Sequence, residues 1–222
     1  MTVLNHLEHV THEIEQACKK VNRLSSEVTI IAVTKTVGDE KTKEVLHAGL
    51  THLAENRVEG FLHKHEVFGH EASWHYIGSL QTRKVKEIIN KIDYLHSLDR
   101  ISLAEEIQKR AEKTIRCFVQ VKTSSEESKH GLNPQEAILF VKELEAYDKI
   151  NVVGLMTMAP YTNNEDEIRS CFHALKSIQS EIHALHLPYA PCTELSMGMS
   201  NDYTIAIEEG ATFIRLGTIL VA

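Results

Sequence analysis

The feature that most constrains this chain is an alternation repeated along its length. Short β-branched or apolar runs occur at residues 28–34, 52–55, 74–77, 94–97, 115–121, 152–156, 193–195 and 212–216. Between them lie stretches with helical spacing at 37–50, 83–91, 100–113, 135–146, 165–186 and 201–209, and an extra helix at 2–24 precedes the first run. Pro134 stands where proline is favoured, at a helix start. In 165–186, Ile168, Phe172, Leu175, Ile178, Ile182 and Leu185 fall near one stripe. Strand then helix, repeated, implies a parallel sheet, because parallel neighbours need a long crossover between them. Eight such strands predict a closed (β/α)₈ TIM-type barrel with an added N-terminal helix. An open doubly wound sheet is the rival. Its dinucleotide-binding form would carry GxGxxG after the first strand, and none stands there.

Residues 1–222 are expected to form a single domain, since Pro and Gly are scattered and no low-complexity linker divides them. Lys and Arg number 24 against 31 Asp and Glu, giving a net charge of −7. That sign opposes a nucleic-acid phosphate backbone, which is bound mainly through Lys and Arg. No apolar run approaches the length of a membrane span, and the first twelve residues lack the basic and apolar pattern of a signal peptide. Cys18, Cys117, Cys171 and Cys192 are widely spaced and form no CxxC pair, as expected of reduced thiols in a cytoplasmic protein. His63, His65 and His70 are the densest of 14 histidines. Residues two apart on a helix do not share a face, so this group reads as a solvated helix rather than a metal site.

In a barrel, function collects where strands end. The first run ends at Lys35. A lysine at the rim of an apolar core is expected to be partly desolvated, which favours the neutral amine that attacks an aldehyde. The last run continues into Gly217 and Thr218, and the preceding one into Met199 and Ser200, so two loops suited to an anion lie side by side. Ser200 is expected to cap the helix at 201–209. Arg215, inside an apolar run, needs a partner: a carboxylate such as Glu194, or the ring nitrogen of a cofactor.

These features resemble the pyridoxal phosphate homeostasis protein family, small barrels related to the N-terminal domain of alanine racemase. The resemblance is carried in order by Ala32-Val-Thr-Lys-Thr36, Glu55-Asn-Arg-Val-Glu59, Trp74-His-Tyr-Ile-Gly-Ser-Leu-Gln81, Val119-Gln-Val121, Glu127-Ser-Lys-His-Gly131, Gly154-Leu-Met-Thr-Met-Ala-Pro160 and Leu195-Ser-Met-Gly-Met-Ser-Asn-Asp202. It implies that Lys35 carries pyridoxal 5′-phosphate as an internal aldimine. It implies further that Asn56 approaches the cofactor ring and that Arg215 faces its pyridine nitrogen. Ser200, Gly217 and Thr218 would hold its phosphate with Met199 close by, and His75 and Ser97 would line the pocket. Met156 and Met158 read as barrel packing, and Lys129 and Gly131 as a polar loop. Ala54 and Arg57 depart from the family, which usually has Gly and an aromatic there. So does Ile219-Leu-Val-Ala222, where a Phe-Gly segment is usual.

The resemblance implies a reversible PLP binder in vitamin B6 homeostasis, without turnover. Racemisation would need a second acid or base on the opposite face of the cofactor. The tyrosine that serves there in alanine racemase comes from a further domain, which is expected to be absent because the chain stops soon after its last strand. A weak amino-acid racemase and a sugar-phosphate barrel enzyme are the alternatives. The protein is expected to be monomeric, with apo PLP-dependent enzymes as its possible partners.

Overall fold

The computed structural model describes residues 2–124 and 131–222. Lys129 lies outside the described residues, while Gly131 begins the following segment with φ +123°. The strands are β1 Thr29–Val33, β2 His52–Glu55, β3 Ser73–Tyr76, β4 Tyr94–Leu98, β5 Ile115–Gln120, β6 Ile150–Met156, β7 Glu194–Ser196 and β8 Phe213–Leu216. All are parallel and hydrogen-bonded in sequence order, and β8 pairs back onto β1 from Thr29↔Phe213 to Ala32↔Leu216. The fold is a TIM barrel, as the alternation predicts. Its two weakest strands by propensity, β2 and β7, form because neighbours on both sides supply the ladder. Gly154 admits β7: a Cβ there would lie 2.0 Å from the Glu194 carbonyl oxygen.

The helices are α1 Val3–Lys20, α2 Asp39–His47, α3 Val58–Phe68, α4 Val85–Ile88, α5 Ile101–Arg110, α6 Pro134–Glu143, α7 Glu165–His183, α8 Tyr203–Glu208 and α9 Thr218–Val221. Two are shorter than expected. The stretch at 83–91 is one 3₁₀ turn followed by α4, and α8 begins only at Tyr203. Ser200 therefore does not cap it. Asp202 holds the cap position and accepts from the Met199 N–H at 2.6 Å. The atypical C-terminal segment forms α9, whose Leu220 and Val221 are buried, and His6 of α1 meets the Leu220 carbonyl at 3.1 Å.

The core has two compartments. Between sheet and helices lies an annulus that includes Leu53, Trp74, Leu95, Leu103, Phe172 and Ile214. Inside the barrel Ile31, Val33, Ala54, Tyr94, Phe118, Met156 and Phe213 pack together. Polar residues, among them His75, His96, Ser196 and Arg215, are buried in the same lumen. Alternate residues of a strand face opposite sides, so each strand serves both compartments. All four cysteines are buried, and no disulfide joins them among the described residues.

Candidate active site at the C-terminal rim

A cavity of about 560 Å³ opens where the strands end. Lys35, Asn56, Met199, Ser200, Arg215, Gly217 and Thr218 line it together, after β1, β2, β7 and β8 or within β8. Its volume suits a small ring with a phosphate arm.

The main chain before Lys35 is pinned from below. Thr34 turns toward the helix layer and its Oγ1 donates to Glu55 Oε1 at 2.7 Å. Lys64 of α3, buried, donates to the same carboxylate oxygen at 2.6 Å and also to the Thr34 carbonyl. Lys35 then emerges exposed, so the desolvation expected from its place after an apolar strand is not found: the strand ends at Val33 and the chain has stepped out of the core. Its amine has no hydrogen bond or ion pair among the described residues. On the neighbouring loop, a Cβ at Gly78 would fall 2.1 Å from the Asn56 carbonyl oxygen, so this crossing needs glycine and fixes where Asn56 stands.

Arg215 forms the floor. It is buried, and burial pushes its guanidinium down to about 10. Nη1 donates to Ser196 Oγ at 2.6 Å and Nη2 to the Thr157 carbonyl at 2.9 Å. Glu194, the carboxylate considered above, is not among its partners; the Glu194 side chain accepts from Thr193 instead. The remaining donors of this guanidinium are left for whatever enters the cavity. A pyridine-type acceptor answers that demand, and an exposed unpaired amine above it suits an aldehyde, so these residues fit pyridoxal phosphate.

Two expected residues are not at the cavity. His75 lies deeper in the lumen, stacked on Tyr94 with ring centroids 4.3 Å apart. Its Nδ1 is 2.9 Å from His96 Nε2. Ser97 is buried and its Oγ has no hydrogen-bond partner among the described residues. The β4 residues that enter the lumen are Tyr94 and His96, the latter one position before Ser97 and stacked on Phe118. A strand places neighbours on opposite faces, so a motif position assigned one residue late selects the wrong compartment. Val33, Ile77, Gly78, Met156, Met158, Tyr161 and Asn201 also line the cavity. Met156 and Met158, read from sequence as packing, thus reach the site. So does Tyr161, although no tyrosine could be placed there from sequence. Its signal is its place in the loop after β6. At His63 the helix has an acidic neighbour rather than a metal set: Nε2 meets Asp39 at 2.9 Å, and no group that could hold a metal ion occurs among the described residues.

The family model for the alanine racemase N-terminal domain matches residues 6–222. A pyridoxal phosphate homeostasis protein of Aquifex aeolicus is 39% identical, covering 99% of this chain and 97% of its own length. The chain belongs to the pyridoxal phosphate homeostasis protein family. Within its fold, a solved protein of unknown function from Bifidobacterium adolescentis superposes with a TM-score of 0.93 at 31% identity, covering 98% of this chain and 94% of that one. PipY of Synechococcus elongatus, solved with PLP bound, superposes at 0.82 with 30% identity over 95% of this chain and 100% of its own. Lys35, Asn56, Ser200, Arg215, Gly217 and Thr218, the residues expected from the sequence to hold a cofactor, line one rim in this chain.

Proposed function

We propose that this protein binds pyridoxal 5′-phosphate reversibly and serves intracellular PLP homeostasis without catalytic turnover. The observation that carries the reading is Lys35, an unpaired amine on the same cavity as the buried Arg215. PLP supplies an aldehyde. The Lys35 amine adds to it, water leaves, and a Schiff base holds the cofactor. Arg215 donates to the ring nitrogen and, remaining protonated, keeps that nitrogen unprotonated, which weakens the ring as an electron sink. Ser200, Gly217 and Thr218 hold the phosphate, and Asn56 and Met199 flank the ring.

Racemisation requires a second group held fixed across the ring from the lysine. Tyr161, the tyrosine at this cavity, is 92% exposed and is not held in place. That favours a carrier, taken as a cytoplasmic monomer of one domain that delivers PLP to apo-enzymes. No helix among the described residues is long and apolar enough to cross a membrane.

The test is the absorbance spectrum with PLP, before and after borohydride. A visible band trapped on Lys35 and lost in Lys35→Ala is expected. Absence of the band, with phosphate esters still bound, would overturn the reading in favour of a sugar-phosphate enzyme. Robust racemisation of an L-amino acid, abolished by Tyr161→Phe, would overturn the non-catalytic part.

A further inference from the structure

A continuous chain of polar groups runs down the barrel axis from the site to the opposite face. Arg215 Nη1 donates to Ser196 Oγ at 2.6 Å. Ser196 Oγ lies 2.9 Å from His96 Nδ1, His96 Nε2 lies 2.9 Å from His75 Nδ1, and His75 Nε2 lies 2.9 Å from His52 Nδ1. His75, His96, Ser196 and Arg215 are buried; His52, first residue of β2, is half-buried at the N-terminal mouth. Three imidazoles in series within a lumen that could hold aliphatic side chains are not explained by packing alone.

One direction leaves no hydrogen of the column without an acceptor. A guanidinium only donates, so Ser196 must accept from it. Giving the serine hydrogen to His96 Nδ1 leaves His96 donating from Nε2 to His75, and His75 donating from Nε2 to His52. Each neutral ring then has one donor and one acceptor, and every link is satisfied. A proton bound by His52 cannot be accommodated locally, because its Nδ1 already accepts from His75. His52 must donate from Nδ1, His75 must accept at Nε2 and donate from Nδ1, and His96 must do the same. His96 then donates to Ser196, which now accepts twice and must turn its own hydrogen away. One proton is added, the charge stays on His52, and two buried tautomers reverse.

We propose that His52, His75, His96 and Ser196 form a one-way hydrogen-bond column that positions Arg215. Protonation of His52 reverses the column and alters the grip of Arg215 on the ring nitrogen of bound PLP. The second part rests on the PLP reading above. The groups facing His52 are His75 of β3, Tyr94 of β4, Asp93 just before it, Arg116 of β5 and Phe213 of β8. Arg116 sits over the Tyr94 ring at 4.3 Å and donates to its hydroxyl at 2.7 Å. Burial and then Arg116 hold His52 below its ordinary value, with Asp93 opposing, so the column is neutral at pH 7 and reverses only on the acid side of about 6.5.

Nitrogen-15 NMR of the protein without PLP tests the column by itself. All three rings are expected as Nε2–H at neutral pH, with His75 and His96 passing to Nδ1–H on acidification. Nδ1–H or mixed tautomers at neutral pH would overturn the proposal whether or not PLP binds. With PLP, the wild-type spectrum and affinity are expected to change on acidification through that same transition. His52→Asn keeps an acceptor for His75 but cannot bind the proton; it should keep neutral-pH affinity within about twofold and lose the transition. His75→Phe keeps a ring against Tyr94 but cuts the column; PLP should still be trapped on Lys35, with affinity roughly tenfold lower, the size of one lost hydrogen bond, and an altered spectrum. Wild-type spectra and pH profiles in both variants would overturn the positioning role. Failure of the wild type to trap PLP would instead sink the reading of the cofactor and leave the NMR result to decide the column.

Discussion

The annulus and the lumen of this barrel are built from the same strands yet follow opposite rules. The annulus is dominated by apolar side chains such as Leu53, Leu95 and Phe172, with the Lys64–Glu55 pair buried near its upper edge. The lumen mixes Ile31, Phe118 and Phe213 with buried His75, His96, Ser196 and Arg215. Burying polar groups costs free energy unless each is paired, and here each is. The difference teaches that the annulus carries stability while the lumen carries the site, and that substitutions should separate the two.

The largest expected effect belongs to the annulus. Phe172→Ala empties a fully buried position and is expected to cost about 4 kcal/mol, read by urea denaturation, while the folded fraction keeps wild-type PLP affinity. A loss of affinity in the folded protein would break the separation.

Next comes acid. His75 and His96 are both held well below their ordinary values, by burial first, then by His96 and His52 at His75 and by Arg215 at His96. The unfolded chain therefore binds more protons below about 6.5, so stability falls as pH drops through that value. Each histidine contributes up to about 1.4 kcal/mol per pH unit. Urea midpoints at pH 7 and pH 5.5 check this, and His96→Phe should reduce the slope. An undiminished slope would place the acid sensitivity outside the lumen.

The smallest effect sharpens the boundary. Ser97 buries a hydroxyl that has no partner among the described residues. Ser97→Ala is expected to stabilise by roughly 1 kcal/mol in thermal melts and to leave PLP binding unchanged. Weakened binding would return Ser97 to the site that the family resemblance assigned it.

The same contrast explains what the sequence made legible. Periodic apolar residues report the annulus directly, so all eight strands and most helices stand where the pattern puts them. Lys35 and Arg215 were legible because a charge beside or inside an apolar run demands a reason. His52 and His96 gave no such signal: histidine is common throughout this chain, and only closure of the barrel brings residues from β2, β3, β4 and β7 into one line. Tyr161 was hidden because a loop without periodicity carries no address. The start of α8 was misplaced because serine and aspartate both suit a cap; Asp202 holds that position, with its side chain turned back to the Met199 N–H before the helix.

The two glycine crossings bear on how such a site can evolve. At Gly78 and Gly154 one main chain passes against another so closely that no side chain fits between them. The frame of the pocket is therefore set by backbone, independently of the residues that decorate its mouth. Met158, Tyr161 and Met199 form that decoration and are exposed. A library randomised at those three positions and constant at the two glycines would explore new ligands on an unchanged frame, which is how a scaffold of this kind can diversify its chemistry without relearning how to fold.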